Sequence, residues 1–319
     1  MSKYADYKYL EIYNKLDSKI RVAFSEEQDH KKLGIDFDEQ QKYIIDRSVL
    51  GAQSREEKIE ELRSYGKRYK YVLKTIISGS VLESEIYPVY EKSKDIPRRD
   101  KEKDSKESQA NLNEKNAIKQ FIRITNTNFG KDDLLLTATY EDKYLPTQKQ
   151  AKKDVTNYIR RIKRYREKNN LPELKYVYVI EYVDEEEQHK SKKIRVHHHI
   201  IINKMDRNIA ENLWGKGRVE ARRLQPDESG LEGIARYMMK QPKGSKRWYG
   251  SRNLKKPKVY RSVTRLTKNK TELMAKAPEK LPGMFENLYK GKYRFQNCSP
   301  YYSDIVGGFY LYCQMRRRD

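Results

Sequence analysis

The residues best suited to chemistry in this sequence are three consecutive histidines, His197, His198 and His199. They belong to a chain of 319 residues that contains five histidines in all. They lie within residues 193–203 (KIRVHHHIIIN), whose β-branched residues predict a strand. Because alternate side chains of a strand share a face, His197 and His199 should point one way and His198 the other. Two imidazoles about 7 Å apart at Cα can bind one metal ion, whereas His198 is expected to pack in the core.

A third metal ligand can come from the strand predicted at residues 175–183 (KYVYVIEYV), in which Glu181 is the one acidic residue. A charged turn at 184–192 would make this strand the antiparallel neighbour of the histidine strand. Glu181 would then lie opposite residues 195–197. Two imidazoles and one carboxylate suit Mg²⁺ or Mn²⁺, so the sequence predicts a divalent metal site formed by His197, His199 and Glu181.

A tyrosine follows about 40 residues later in a predicted helix, residues 231–241 (LEGIARYMMKQ). Tyr237 and Lys240 are three residues apart and therefore share a face of that helix. A tyrosine hydroxyl can attack a phosphodiester and keep its bond energy in a covalent intermediate. The lysine could assist loss of the phenol proton or hold a phosphate oxygen. Because the chain contains 26 tyrosines, Tyr237 gains meaning only from its order after the histidines.

The charge of the chain points to a polyanionic partner. It contains 69 Lys and Arg against 46 Asp and Glu, a net charge of +23, and nucleic acid is the first candidate. Residues 241–280 are rich in lysine and arginine with interleaved aromatics, a pattern typical of grooves that bind single-stranded DNA. The predicted DNA-binding residues are Lys243, Arg247, Trp248, Arg252, Asn253, Lys255 and Lys256.

In this order the residues resemble the HUH endonucleases, the single-strand nickases that start rolling-circle replication. His197 to His199 resemble their His-hydrophobic-His strand, with a histidine at the middle position, and Tyr237 with Lys240 resembles their Tyr-x-x-Lys helix. The resemblance covers residues 118–265. It implies a single-tyrosine enzyme that cuts single-stranded origin DNA, with or without a stem-loop, and leaves a 5′-phosphotyrosine and a free 3′-hydroxyl. A host helicase and a host polymerase are the further partners that it implies.

Two other functions remain open at this point. A conjugative relaxase or a single-strand transposase would share the chemistry of the nickase. A non-catalytic origin- or operator-binding protein would use the basic sheet only as a platform for DNA.

The order of predicted elements indicates an α+β fold, with an antiparallel-centred β-sheet and flanking helices similar to HUH and RRM-like cores. We predict a helical accessory region at 1–90 with a helix at 54–76, and a charged linker or solvated helix at 91–117. The endonuclease domain would span 118–265 and a basic, aromatic extension 266–319. No apolar run of about 18 residues predicts a membrane span. The absence of an apolar leader and the presence of only two cysteines predict a cytoplasmic protein of a bacterial host cell, without membrane contact.

Overall fold

The structure, a computed structural model, describes residues 69–90, 106–144, 146–181, 196–240, 247–303 and 308–318. These residues belong to two compact units. The terminal unit holds the described parts of Met1–Ile77, Val81–Leu112 and Val259–Asp319. The central unit holds Ser78–Ser80 and the described parts of Asn113–Lys258.

Each unit is built on one five-stranded sheet. The strands are β1 (Tyr69–Ser78), β2 (Val81–Tyr90), β3 (Leu134–Ala138), β4 (Tyr176–Glu181), β5 (His197–Ile202), β6 (Val219–Arg223), β7 (Tyr249–Gly250), β8 (Lys258–Ser262), β9 (Tyr293–Ser303) and β10 (Gly308–Arg317). The α-helices are α1 (Lys106–Asn128), α2 (Gln148–Lys168), α3 (Arg207–Asn212), α4 (Glu232–Met238), α5 (Lys268–Lys276) and α6 (Leu281–Leu288). Short 3₁₀ helices occupy Asp142–Tyr144 and Pro278–Lys280.

The sheet of the central unit has the strand order β6-β3-β5-β4-β7. Its neighbouring strands are antiparallel. The histidine strand β5 therefore lies in the middle, between β3 and β4. Glu181 of β4 is directly opposite His197, and Thr137 of β3 is directly opposite His199. The predicted α+β fold with an antiparallel-centred sheet is confirmed, and so is the predicted pairing of the two strands that carry Glu181 and the histidines.

One face of this sheet packs against α2 and α3. Helix α2 begins where the sequence predicts, since the side chain of Thr147 caps it by accepting a hydrogen bond from the backbone N–H of Gln150. The apolar residues of α2 recur at helical spacing, and Val155, Tyr158 and Ile162 are fully buried against the sheet. This layer buries one face of the sheet and forms a core beneath the histidine strand.

The opposite face of the sheet packs against α1 and α4. Phe121 and Ile124 of α1 join Val177, Val179 and Ile201 of the strands, together with residues of α4. The alternation of β5 thus sends Ile200 and Ile202 to one layer and Ile201 to the other. His197 and His199 share the face of Ile201, which is the face that carries α4.

The sheet of the terminal unit has the strand order β8-β1-β2-β10-β9. Helices α5 and α6 cover one of its faces, and Leu73, Leu82, Phe285 and Leu311 are among the core residues there. Strand β10 is antiparallel to both β2 and β9. The unit therefore combines a hairpin near residue 80 with the last strands of the chain, segments that the sequence prediction placed in two separate regions.

The helix predicted at 54–76 is wrong over residues 69–76, which belong to strand β1; residues 54–68 lie outside the described part of the chain. Both sides of β1 are buried, with Tyr71 and Leu73 on the face of the helices and Val72 and Ile76 on the other. Apolar residues on both faces remove the period-two alternation that identifies a strand. The run could therefore be mistaken for a helix.

The charged segment predicted at 91–117 is helical from residue 106 onward, because α1 begins there, and residues 91–105 lie outside the described part. None of the described helices is long and apolar enough to cross a membrane.

Candidate active site

The histidine strand β5 places two imidazoles side by side on the face of α4. The rings of His197 and His199 stack with centroids 6.4 Å apart and an interplanar angle of 17°. His197 is half-buried and His199 is only 4% exposed. The predicted common face of these two histidines is confirmed.

The carboxylate of Glu181 lies against the same pair. Its Oε2 is 3.2 Å from Nε2 of His199, and Oγ1 of Thr137 lies 3.5 Å from Nδ1 on the other side of that ring. The hydrogen bond with His199 lowers the pKa of Glu181, burial opposes this, and the charges of His199, His197 and Lys240 add to the lowering. Glu181 is therefore a carboxylate at neutral pH, held in a fixed place beside the imidazoles.

Tyr237 of α4 reaches the histidines from the neighbouring layer. Its ring lies edge-on to that of His199, with centroids 5.2 Å apart and an interplanar angle of 69°. The side chain is 59% exposed, so a ligand can approach it from solvent. Lys240 is exposed, its backbone N–H lies 3.3 Å from the carbonyl oxygen of Tyr237, and its charge acts on Glu181. The structure thus brings Glu181, His197, His199, Tyr237 and Lys240 to one end of the central sheet.

The tyrosine helix is short, and its start is fixed by a residue of another element. Leu231 at the N-cap of α4 makes no side-chain cap. Instead, Oδ1 of Asn126 on α1 accepts a hydrogen bond of 2.7 Å from the backbone N–H of Leu231. The Nδ2 of Asn126 lies 3.5 Å from the carbonyl oxygen of Ser229. Asn126 therefore sets where α4 starts and, through it, where Tyr237 stands.

We expect Asn126→Ala to destabilise α4, because a half-buried backbone donor loses its acceptor. The expected loss is about 1–3 kcal/mol in the free energy of unfolding, with faster amide exchange in α4, as measured by urea unfolding and hydrogen exchange. Asn128→Ala on the same helix is the matched control. Asn128 holds the backbone of Lys255, so its loss should leave exchange in α4 unchanged. Equal exchange in α4 of both variants would contradict this role of Asn126.

His198 occupies the opposite layer, fully buried, as predicted. Its Nε2 is 2.8 Å from the hydroxyl of Tyr140. That hydroxyl lies 3.4 Å from Asp154, which is also 3.4 Å from the ammonium of Lys216. His198 thus anchors β5 to the α2 layer while the neighbouring histidines face the site.

The ionisation of His198 should make stability depend on pH. Burial, with the charges of His199 and His197, lowers its pKa to about 3. A histidine with a lowered folded-state pKa contributes fully above its unfolded value of about 6.5, and the contribution is lost as the pH falls toward 3. Between pH 7 and 4.5 we expect the wild type to lose about 2–3 kcal/mol more than His198→Gln, which does not titrate. Urea unfolding at both pH values measures this, and identical losses would refute it.

The donor atoms around His199 fit a divalent cation. Among the described residues, no group of three His, Cys, Asp or Glu side chains is already arranged as a metal site. However, Nε2 of His199 and Oε2 of Glu181 stand 3.2 Å apart, and two neighbouring ligands of an octahedral ion are about 3 Å apart when each bond is about 2.1 Å. Two imidazoles and an ionised carboxylate form a donor set that suits such an ion.

The predicted DNA-binding residues divide into two groups. Arg247 pairs with Glu114 at 3.0 Å, the half-buried Trp248 packs on Phe121, and Nδ2 of Asn253 donates to the carbonyl oxygen of Leu174. These three side chains make contacts that hold the central unit together. The exposed side chains of the set are Arg252, Lys255 and Lys256, and Lys243 lies outside the described residues.

The sequence did not point to three residues that support the site: Thr137, Asn126 and Tyr140. The position of Thr137 follows from the strand pairing, since it lies opposite His199 on the same face. Asn126 and Tyr140 act through long-range hydrogen bonds. Such bonds leave no local pattern in a sequence, so no signal for these two was available.

Comparison with known proteins agrees with the location of the site. A family model described as replication-associated protein ORF2 and gene 2 protein matches residues 133–242. This third of the chain runs from the start of β3 to just beyond α4 and contains the residues gathered around His199. No curated protein and no solved structure matches the chain. The matched range is consistent with a replication initiator, the class of protein that the site geometry suggests.

Proposed function

We propose that this chain is a replication initiator that nicks single-stranded origin DNA with Tyr237 and rejoins the strand when rolling-circle replication ends. The observation that carries the proposal is the contact between the exposed ring of Tyr237 and His199. A solvent-accessible nucleophile stands there beside a His-His-Glu group. The match of residues 133–242 to replication-associated proteins supports the same assignment.

The proposed reaction is an in-line displacement at phosphorus. The phenol oxygen of Tyr237 forms a bond to phosphorus as its proton is lost, and the bond from phosphorus to the 3′-oxygen breaks. The leaving 3′-oxygen takes up a proton and becomes a free hydroxyl that can prime a polymerase. The 5′ end remains attached to Tyr237 as a phosphodiester. Its bond energy is retained, so a later 3′-hydroxyl can reverse the step without ATP.

His197, His199 and Glu181 would hold Mg²⁺ or Mn²⁺. When bound, such an ion supplies Lewis-acid polarisation of the scissile phosphate. The protein groups supply the rest of the arrangement. Thr137 and Glu181 fix the ring of His199 from both sides, and Asn126 fixes the helix of Tyr237. Lys240 is exposed close to Tyr237, where its ammonium can neutralise charge on a phosphate oxygen.

The partners belong to the same proposal. Single-stranded origin DNA would contact the exposed Arg252, Lys255 and Lys256. The sequence contains no GxxxxGK[ST] motif for ATP binding, so we propose that a host helicase separates the strands and a host polymerase extends the 3′ end. The proposed place of action is the cytoplasm of a bacterial host.

A cleavage assay tests the proposal. Single-stranded DNA carrying the origin of the element that encodes this chain is incubated with the protein and Mn²⁺ or Mg²⁺. We expect a protein–DNA adduct that survives denaturation, together with a free 3′-hydroxyl on the released fragment. Tight binding without an adduct in either ion would instead assign the chain as a non-catalytic origin- or operator-binding protein.

A further inference from the structure

A dense group of cations lies at one end of the terminal sheet, outside the range matched by the replication-associated family. Strand β9 begins and antiparallel strand β10 ends at this place. We name the group the basic end; its members are Lys290, Lys292, Arg294, Arg316, Arg317 and Arg318. Five of the six are exposed and Arg316 is half-buried.

The pairing of the two strands forces like charges together. Arg316 is directly opposite Arg294. Phe295 and Met315, the next residues of each strand, pack in the core under α5 and α6, so alternation sends both arginines to the other face. Like charges directly opposite each other in a sheet destabilise it. A fold keeps such a pair at lower cost when an anion binds between the two side chains.

The surrounding backbone holds further cations in the same place. The backbone N–H of Arg318 donates to the carbonyl oxygen of Lys292, which extends the pairing of β9 and β10 by one more step. Arg318 also forms an ion pair of 2.8 Å with Glu286. Arg317 lies opposite Tyr293, whose aromatic ring packs against the core. The charges therefore project from ordered strand ends, close to one another.

We propose that the basic end is a second nucleic-acid-binding surface, which contacts the phosphate backbone independently of the residues around Tyr237. Arginine presents a planar fork that matches phosphate oxygens, and four of the six cations are arginines. Contacts to phosphates fix a protein on DNA without reading its sequence. The basic end would thus hold the DNA outside the segment to be cut. This goes beyond the proposed nicking reaction and does not require it.

Binding in EDTA tests this surface separately from cleavage. The probes are oligo-dT and a duplex of equal length, and the variant is the triple change Arg294→Gln, Arg316→Gln and Arg317→Gln. We expect the variant to bind about tenfold more weakly near 0.1 M salt and to lose about 2 from the slope of log K against log salt on oligo-dT, or about 3 on the duplex. Loss on one probe only would identify the form of DNA that the surface holds.

The matched control removes the same charge elsewhere, with Arg160→Gln, Lys163→Gln and Arg164→Gln on the exposed side of α2. It should change the slope much less. Replacement of the same three arginines of the basic end by lysine should restore most of the slope, which separates charge from misfolding. Equal slopes for the triple variant and the α2 control on both probes would overturn the proposal, and so would failure of the lysine variant to restore binding.

Discussion

Tyr237→Phe should abolish the covalent protein–DNA adduct and leave binding of single-stranded DNA almost unchanged. The change removes one oxygen atom from an exposed ring and keeps its contact with His199, so the fold and the metal ligands should be undisturbed. Loss of the nucleophile should lower the cleavage rate by about 10⁴-fold or more. The adduct is measured by denaturing electrophoresis of protein mixed with 5′- or 3′-labelled origin oligonucleotide.

Tyr144→Phe is the matched control, since Tyr144 is another exposed tyrosine of the central unit. Its ring contacts the ammonium groups of Lys143 and Lys216, and it should form the adduct at the wild-type rate. An adduct that persists in Tyr237→Phe would show that another residue is the nucleophile. The proposed geometry of the site would then be wrong.

His199→Ala should lower nicking by about 10²–10³-fold at every concentration of Mn²⁺ that the protein tolerates. The imidazole contacts Glu181, Thr137 and Tyr237, so its removal takes away a metal ligand and the support of the nucleophile together. Binding of DNA should fall little, because most contacts in such complexes go to phosphates that are held by basic side chains. Single-turnover cleavage and fluorescence anisotropy measure the two effects.

His198→Gln provides the control on the same strand. It changes the neighbouring histidine, whose side chain lies in the opposite layer beside Tyr140, and should retain nicking within about tenfold of the wild type. A parallel loss of DNA affinity and nicking in His199→Ala would count against a role for His199 in metal binding. Equal inactivation by both changes would indicate that damage to β5, and not loss of a ligand, is responsible.

The central unit could be predicted from the sequence because its signals are local. Residues 132–140 show the alternation of a strand with one face in each layer, Thr147 caps α2, and the strands that carry Glu181 and the histidines are close in the chain. The terminal sheet could not be predicted, because β2 pairs with β10, more than 200 residues later. Pairing over such a distance leaves no periodic pattern.

The candidate site was predictable to the level of its faces and less so in its surroundings. Strand alternation placed His197 and His199 together, and helix spacing related Tyr237 to Lys240. Trp248 shows the limit of this reasoning, since a tryptophan in a basic segment predicts base stacking, yet its ring packs on Phe121 of α1. Which aromatic side chains are covered depends on helices that lie far away in the sequence.

The openness of Tyr237 bears on the lifetime of the proposed intermediate. A phenol that is more than half exposed on a helix of two turns leaves an attached phosphodiester in contact with bulk water. Access of an incoming strand end would then require no lid to open. The rate of rejoining would depend on how high a local concentration of that 3′ end the bound DNA maintains, and longer tethering of the strand should favour ligation over loss of the protein–DNA link.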